Sequence, residues 1–486
     1  MKDLFEPDFH QTLEAFEVPG ASIAIVKDDA VVFTAGYGVC ELGDNQPVDE
    51  HTLFAAGSIS KSITATCLAM LVGEGKLLWD DPVTKYLPDF QLYDSYVTRE
   101  ITIRDLLTHR SGLAEVSGGT VWYGSTYNRQ QVIYRLRHLK PVTSFRSQFA
   151  YQNVMYLVAG EIIPAITGLS WDEFVQQRLL TPLDMKSSNT STKALSQAPN
   201  VAMPHSIIEG QLKRIEYRNY DNVGPAASIN TSAFDLSQYL RLYLNDGQVS
   251  NQPLIDSKIF AHLTQAQIAI PIQPLPTELN ALTPKFYFYG LGWFIRDYHG
   301  RKVVFHSGGV DGMTAIAAFV PEEQLGVVAL SNRETPLPAS IFYTVLDRFF
   351  GEPKTDWFAA YQTSQKKYRK KNRATREEIE KARVKGTSPS LPLQDYAGKF
   401  RDILYGDAGV TIENDLLVLR FDHSICFTGD LEHWHYDTFR IHWRDPMIPK
   451  GLVTFTLTSN AEVSAMRFDQ PRLLDVDFGE LNFISI

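Results

Sequence analysis

The sequence predicts an α+β protein: a large domain whose antiparallel sheet takes strands from both ends of a mostly helical segment, followed by a small all-β barrel. Three observations carry this. ASIAIVKDDAVVFTAGYG (21–38) reads as two β-rich runs around the polar turn Lys27-Asp28-Asp29. RKVVFHSGG, MTAIAAFVP and LGVVALSN return much later as three apolar, β-branched runs separated by turn residues. Beyond residue 390, GVTIEN, LLVLRF, FRIHWR, LVTFTLTS and EVSAMRFD alternate in short segments, the pattern of a small barrel or sandwich.

Between the early and late strands the spacing turns helical. Ile63, Cys67, Met70 and Leu71 recur on one face of a helix opening near Ser58 and ending at Gly73 and Gly75. Further helices are expected at about 102–109, 151–167, 172–180 and 232–245, and SIFYTVLDRFFG closes the domain. The domain division is therefore 1–361, a charged linker 362–390, and 391–486. Within the linker Lys366, Lys367, Arg369, Lys370, Lys371, Arg373 and Arg376 precede Glu377, Glu378 and Glu380. This run reads as a solvated helix leading into the flexible GTSPS stretch, with docking of an acidic partner as the alternative.

The chain has 486 residues, too many for one ordinary core, and its 44% hydrophobic and 21% charged residues are globular values. A net charge of -10 argues against a nucleic-acid partner. No continuous apolar run approaches the roughly 18 residues of a membrane span, and no basic-then-apolar leader opens the sequence, so a cytoplasmic location is expected unless a leader has been removed. Cys40, Cys67 and Cys426 are widely spaced and read as buried small side chains rather than a disulfide framework or zinc site. No metal or cofactor is expected; the alternative is a metal held in the C-terminal domain by His433 and His435, which a strand would place on one face, with His442.

Chemistry concentrates in three short motifs. In GSISKS, Ser58 and Lys61 stand three apart at a helix start, which puts both on one face. A serine hydroxyl is a poor nucleophile without a base, and an amine serves as that base at neutral pH only when burial or charge lowers its pKa. Ser364 and Lys367 share the spacing but lie in the charged linker, whereas Ser58 precedes an apolar helix. Tyr151-Gln152-Asn153 opens a second apolar helix, where a phenol beside an amine can relay a proton. His306-Ser307-Gly308-Gly309 ends a strand, and its glycines let the backbone approach a ligand, donate an NH and pair with an extended substrate. His109 and Trp293 read as scaffold.

The ordered set SxxK, YxN, HxG is the signature that the chain shares with the penicillin-recognising serine hydrolases. DDPVTKYLPDF, TIRDLLTHRSGL, LLTPLDM, PAASINTSAFDLSQYL and YGLGWF also look like the class C β-lactamase, D-aminopeptidase and carboxylesterase branch, over roughly residues 10–350. LQDYAGKF and HWHYDTFRIHW are similar to lipocalin-like domains appended to some peptidases of that branch. The resemblance implies a β-lactamase/transpeptidase-like domain plus a lipocalin-like barrel, with Ser58, Lys61, Tyr151 and His306 catalytic and Asn153, Ser307, Gly308 and Gly309 binding substrate. It implies an acyl-enzyme on Ser58, base and acid roles shared by Lys61 and Tyr151, an oxyanion hole from the NH groups of Ser58 and Gly309, and Asn153 holding the substrate amide. His306 stands where dedicated β-lactamases and transpeptidases carry lysine, which favours a peptidase, amidase or esterase acting on short peptides or small esters. The appended domain is expected to narrow access or mediate assembly, and a homo-oligomer is compatible with the reading. The competing reading keeps the fold as a weakly active binding or filament-forming scaffold.

Overall fold

The computed structural model describes residues 9–352 and 354–486. Eight strands form one antiparallel sheet: β1 (Gly20–Lys27), β2 (Ala30–Gly38), β3 (Ile268–Ala269), β4 (Tyr287–Tyr289), β5 (Phe294–Tyr298), β6 (Arg301–Val310), β7 (Met313–Val320) and β8 (Leu325–Ser331). Their order across the sheet is β2-β1-β8-β7-β6-β5-β4-β3, so the first two strands form one edge and join the last strand there, with Ile23 opposite Ala329. The β1–β2 turn is tight because Asp28 and Asp29 both take positive φ, 51° and 59°, a conformation short polar side chains tolerate.

Alternation decides what each sheet face buries. Ala24, Val26, Val328 and Leu330 face a core shared with the helical region; Ile23, Ile25, Val327 and Ala329 face a second core. On the first side lie α1 (Ser60–Gly73), α2 (Asn153–Thr167) and α3 (Ala233–Leu244). α1 is buried on every side from Ser60 to Leu71, so its lysine is shielded from bulk solvent. On the second side α4 (Leu337–Phe350) packs with Trp357, which begins α5 (Trp357–Lys381). α5 is one continuous helix of 25 residues and crosses position 361, where the sequence suggested the first domain would end.

Eight further strands close a barrel: β9 (Gly398–Asp402), β10 (Gly406–Glu413), β11 (Leu416–Phe421), β12 (Ser424–His435), β13 (Thr438–Trp443), β14 (Gly451–Leu457), β15 (Val463–Asp469) and β16 (Phe483–Ser485). Closure removes the exposed edges that so short a sheet would otherwise present. Phe400, Phe421, Phe427, Phe439, Phe455 and Phe483 are buried and pack on their neighbours, so aromatic rings fill the interior. A bulge interrupts β12 between His433 and His435 and breaks the alternation expected to align them. His433 Nε2 lies 3.0 Å from the Tyr436 carbonyl and His442 Nε2 2.9 Å from Glu432, so the imidazoles are engaged separately; no metal-holding group occurs among the described residues.

The barrel sits tightly on the helical region. Arg218 bridges Asp311 and Asp445 at 2.9 and 2.7 Å, Tyr127 donates to the Tyr405 carbonyl at 2.6 Å, and the Thr126 amide donates to the His423 carbonyl at 2.8 Å. Cys40, Cys67 and Cys426 are free and buried. No single described helix is long and apolar enough to cross a membrane.

Candidate active site

Phe54–Ala55 pairs with Asn230–Thr231, and Gly57, at φ 53°, turns the chain from that ladder into a 3-10 turn, Gly57–Ile59. α1 begins two residues after Ser58 rather than at it, so the hydroxyl sits on the lead-in turn, just before the helix N-terminus. Lys61 follows one turn later with Nζ 2.9 Å from Ser58 Oγ. The same nitrogen donates to Asn153 Oδ1 at 2.6 Å and to the Ala226 carbonyl at 3.0 Å. Two acceptors occupy two N–H bonds; a neutral amine so held turns its lone pair toward the Ser58 hydroxyl. Loss of solvation pushes the Lys61 pKa down to about 7, against an upward pull from the Asp475 carboxylate.

Tyr151 lies ahead of α2, which begins at Asn153. Its ring is 4.6 Å from Lys61 Nζ and its hydroxyl is within reach of Ser58. Burial pushes the phenol well above its ordinary pKa, so it keeps its proton. His109 backs it: the ring centroids are 4.5 Å apart, and His109 Nδ1 accepts from the Gln152 amide at 2.9 Å.

The opposite wall is the end of β6. A Cβ on Gly308 would meet the Ala56 carbonyl at 1.8 Å, and one on Gly57 would meet the Gly309 nitrogen at 2.9 Å. Only glycine allows this approach, which sets the Gly308–Gly309 backbone beside the Ser58 backbone. Ser307 is exposed on the cleft wall, while His306 is buried. His306 Nδ1 is 2.6 Å from the Ser307 carbonyl and Nε2 3.1 Å from Tyr289 Oη, so Nδ1 carries the proton and Nε2 accepts. Burial, then the Lys61 charge, lowers its pKa to about 3; the ring stays neutral and both nitrogens are occupied.

Beta-lactamase, a family profile, matches residues 6–348, and a domain of unknown function, DUF3471, matches 382–483. This chain belongs to the beta-lactamase family. Relatives include a protein named unguisins hydrolase from Aspergillus violaceofuscus, 28% identical across 74% of this chain and 67% of that protein. Another is named penicillin-binding protein 4, from Amycolatopsis lactamdurans, 27% identical across 69% of this chain and 86% of that protein. The solved structure of an octameric penicillin-binding protein homologue from Pyrococcus abyssi shares the fold at TM-score 0.63, with 23% identity and 98% of both chains covered.

In this beta-lactamase-family cleft of about 1370 Å³, part of the wall comes from the barrel. The segment joining β15 to β16 enters the site, placing Leu474 and Asp475 with Ser58, Tyr151 and His306. A Cβ on Gly119 would strike the Asp475 carbonyl at 2.0 Å, so the segment lies flat on the 115–119 loop. Glu480 clamps it, accepting from Ser117 Oγ and, at 2.8 Å, from the Gly118 amide. Burial raises the Asp475 pKa, while Lys61, Asn153 and Arg472 pull it down. Sequence reasoning missed this carboxylate: DQPRLLDVDFGELNF carries no motif, and the contacts it makes join positions as far as 363 residues apart.

Proposed function

We propose that the chain is a serine hydrolase that forms an acyl-enzyme on Ser58 and cleaves amide or ester bonds in short peptides or small esters. The observation that carries this is the buried Lys61 amine 2.9 Å from Ser58 Oγ, with two of its hydrogens already committed. Lys61 takes the hydroxyl proton as Oγ bonds to the substrate carbonyl carbon. The NH groups of Ser58 and Gly309 stabilise the oxyanion. When the tetrahedral adduct collapses, the bond to the leaving nitrogen or oxygen breaks, and the proton reaches that atom from Lys61 through Tyr151. Water, deprotonated by the same amine, then hydrolyses the ester and returns Ser58 its proton.

Asp475 gives the substrate side of the reading. A carboxylate inside the cleft, close to Lys61 and Asn153, in a site that lacks a fixed cation at position 306 favours substrates bearing an ammonium near the scissile bond, which points to peptides with a free amino end. The names hydrolase and penicillin-binding protein among the relatives support the general reaction. The test is intact mass after a fluorophosphonate probe, with hydrolysis assays on D- and L-alanyl anilides and short esters. Wild type is expected to gain one adduct and turn over at least one substrate class, and Ser58→Ala to lose both, by roughly 10³-fold or more in kcat. Equal turnover without the hydroxyl contradicts the proposal and leaves the scaffold reading in its place.

A further inference from the structure

We infer that the cleft-facing side of α5 binds the terminal carboxylate of a short peptide substrate through Arg373 and Arg376. The inference rests on the hydrolase reading above and deepens it to a substrate with opposite charges at its two ends.

Tyr361, Tyr368, Arg369, Asn372, Arg373 and Arg376 line the same cleft as Ser58. Their spacing of three, four and seven places them on one stripe of a helix. Such a stripe on a helix that packs against its own domain is normally apolar. Here it grows more basic along its length, and the apolar contacts of α5 are concentrated at its start, around Trp357 and Phe358. Lys366, Lys370 and Lys371 of the same run lie off the stripe and outside the cleft. The cationic cluster therefore divides into a solvent side and a cleft side.

The arginines on the cleft side differ in how far they are committed. Arg369 is held by Glu17 at 2.8 Å, and Glu17 is also bound by Arg333 at 3.1 Å. Arg373 pairs with Glu377 one turn along the helix, but its side chain is 83% exposed, so the pair is weak and easily exchanged. Arg376 has no ion-pair partner among the described residues. Guanidinium groups suit a carboxylate because their fork matches its two oxygens.

The remaining charges of the cleft sharpen the choice. Asp475 and Glu334 are acids on its wall. Acidic groups thus gather with the reacting serine while the unpaired Arg376 and the weakly paired Arg373 stand on α5. A neutral ester has no use for the second set. A peptide with a free amino end at Asp475 and a free carboxyl end uses both, and releases a leaving amine that still carries that carboxylate.

The experiment reads occupancy of the cleft through the rate of Ser58 labelling by a fluorophosphonate. Tri- and tetra-alanine in all-D and all-L forms compete, each as free acid and as C-terminal carboxamide, at low and at about 0.5 M salt. The free acid of the accepted stereoisomer is expected to protect at a roughly three- to tenfold lower concentration than its amide. The gap should close in Arg373→Gln/Arg376→Gln and shrink at high salt, yet persist in Lys370→Gln/Lys371→Gln on the other side of the helix. Equal protection by acid and amide, protection by neither, or a gap that survives the arginine double variant overturns the inference while a labelled Ser58 leaves the hydrolase reading intact. A wild-type Ser58 that takes no label overturns both.

Discussion

At the scale of single residues the site is governed by how burial treats two proton carriers differently. The same desolvation drives the Lys61 pKa down to about 7 and the Tyr151 pKa up, so near neutrality the amine is free to accept a proton and the phenol holds one to pass on. Activity should therefore fall on the acid side as the pH drops through about 7, where Lys61 gains its proton. Asp475 raises the Lys61 pKa, so Asp475→Asn, assayed on an ester without an amino group, is expected to move the acid limb of kcat/KM to lower pH. A limb that stays or moves upward contradicts the electrostatic link between the two. Ser58, Lys61, Tyr151, Asn153 and the glycines after His306 were legible because each belongs to a local spacing whose chemistry depends on neighbours in sequence. Asp475 was not, since a lone carboxylate in a polar connection acquires meaning only through what folds against it.

Among the elements, the hairpin at Asp28–Asp29, the central helices and the three late strands were readable from period and turn chemistry. The longest barrel strand, β12, was not, because SICFTGDLEHWH interrupts its apolar residues with charge and glycine and contains a bulge. α5 was readable as a helix, but its role as a cleft wall was hidden, since charge alone does not say which side of a helix meets solvent. The β15–β16 connection is the element whose position matters most to the site, and Glu480 is its clamp. Glu480→Ala removes an acceptor from Ser117 and Gly118 and is expected to raise KM about three- to tenfold with kcat little changed, while amide hydrogen exchange accelerates across residues 470–482. Unaltered exchange there would show that the segment is held by other contacts.

For the molecule as a whole, the barrel and the catalytic region share buried charge. Arg218 lies between Asp311 on one side of the seam and Asp445 on the other, with about 15% of each side chain exposed. Desolvating a guanidinium is costly unless both carboxylates remain, so Asp445→Ala is expected to cost about 1–3 kcal/mol. Calorimetry should show this as a lower Tm of one shared transition; a separate barrel transition that alone shifts would mean that the seam does not couple the two units. The barrel-borne carboxylate also has a consequence for synthesis. Ser58, its amine and its glycine cradle have all left the ribosome once α4 is made, but Asp475 is more than a hundred codons further on. At typical elongation speeds the nascent chain spends on the order of ten seconds with Ser58, Lys61 and the glycines already translated and the Asp475 carboxylate still unwritten.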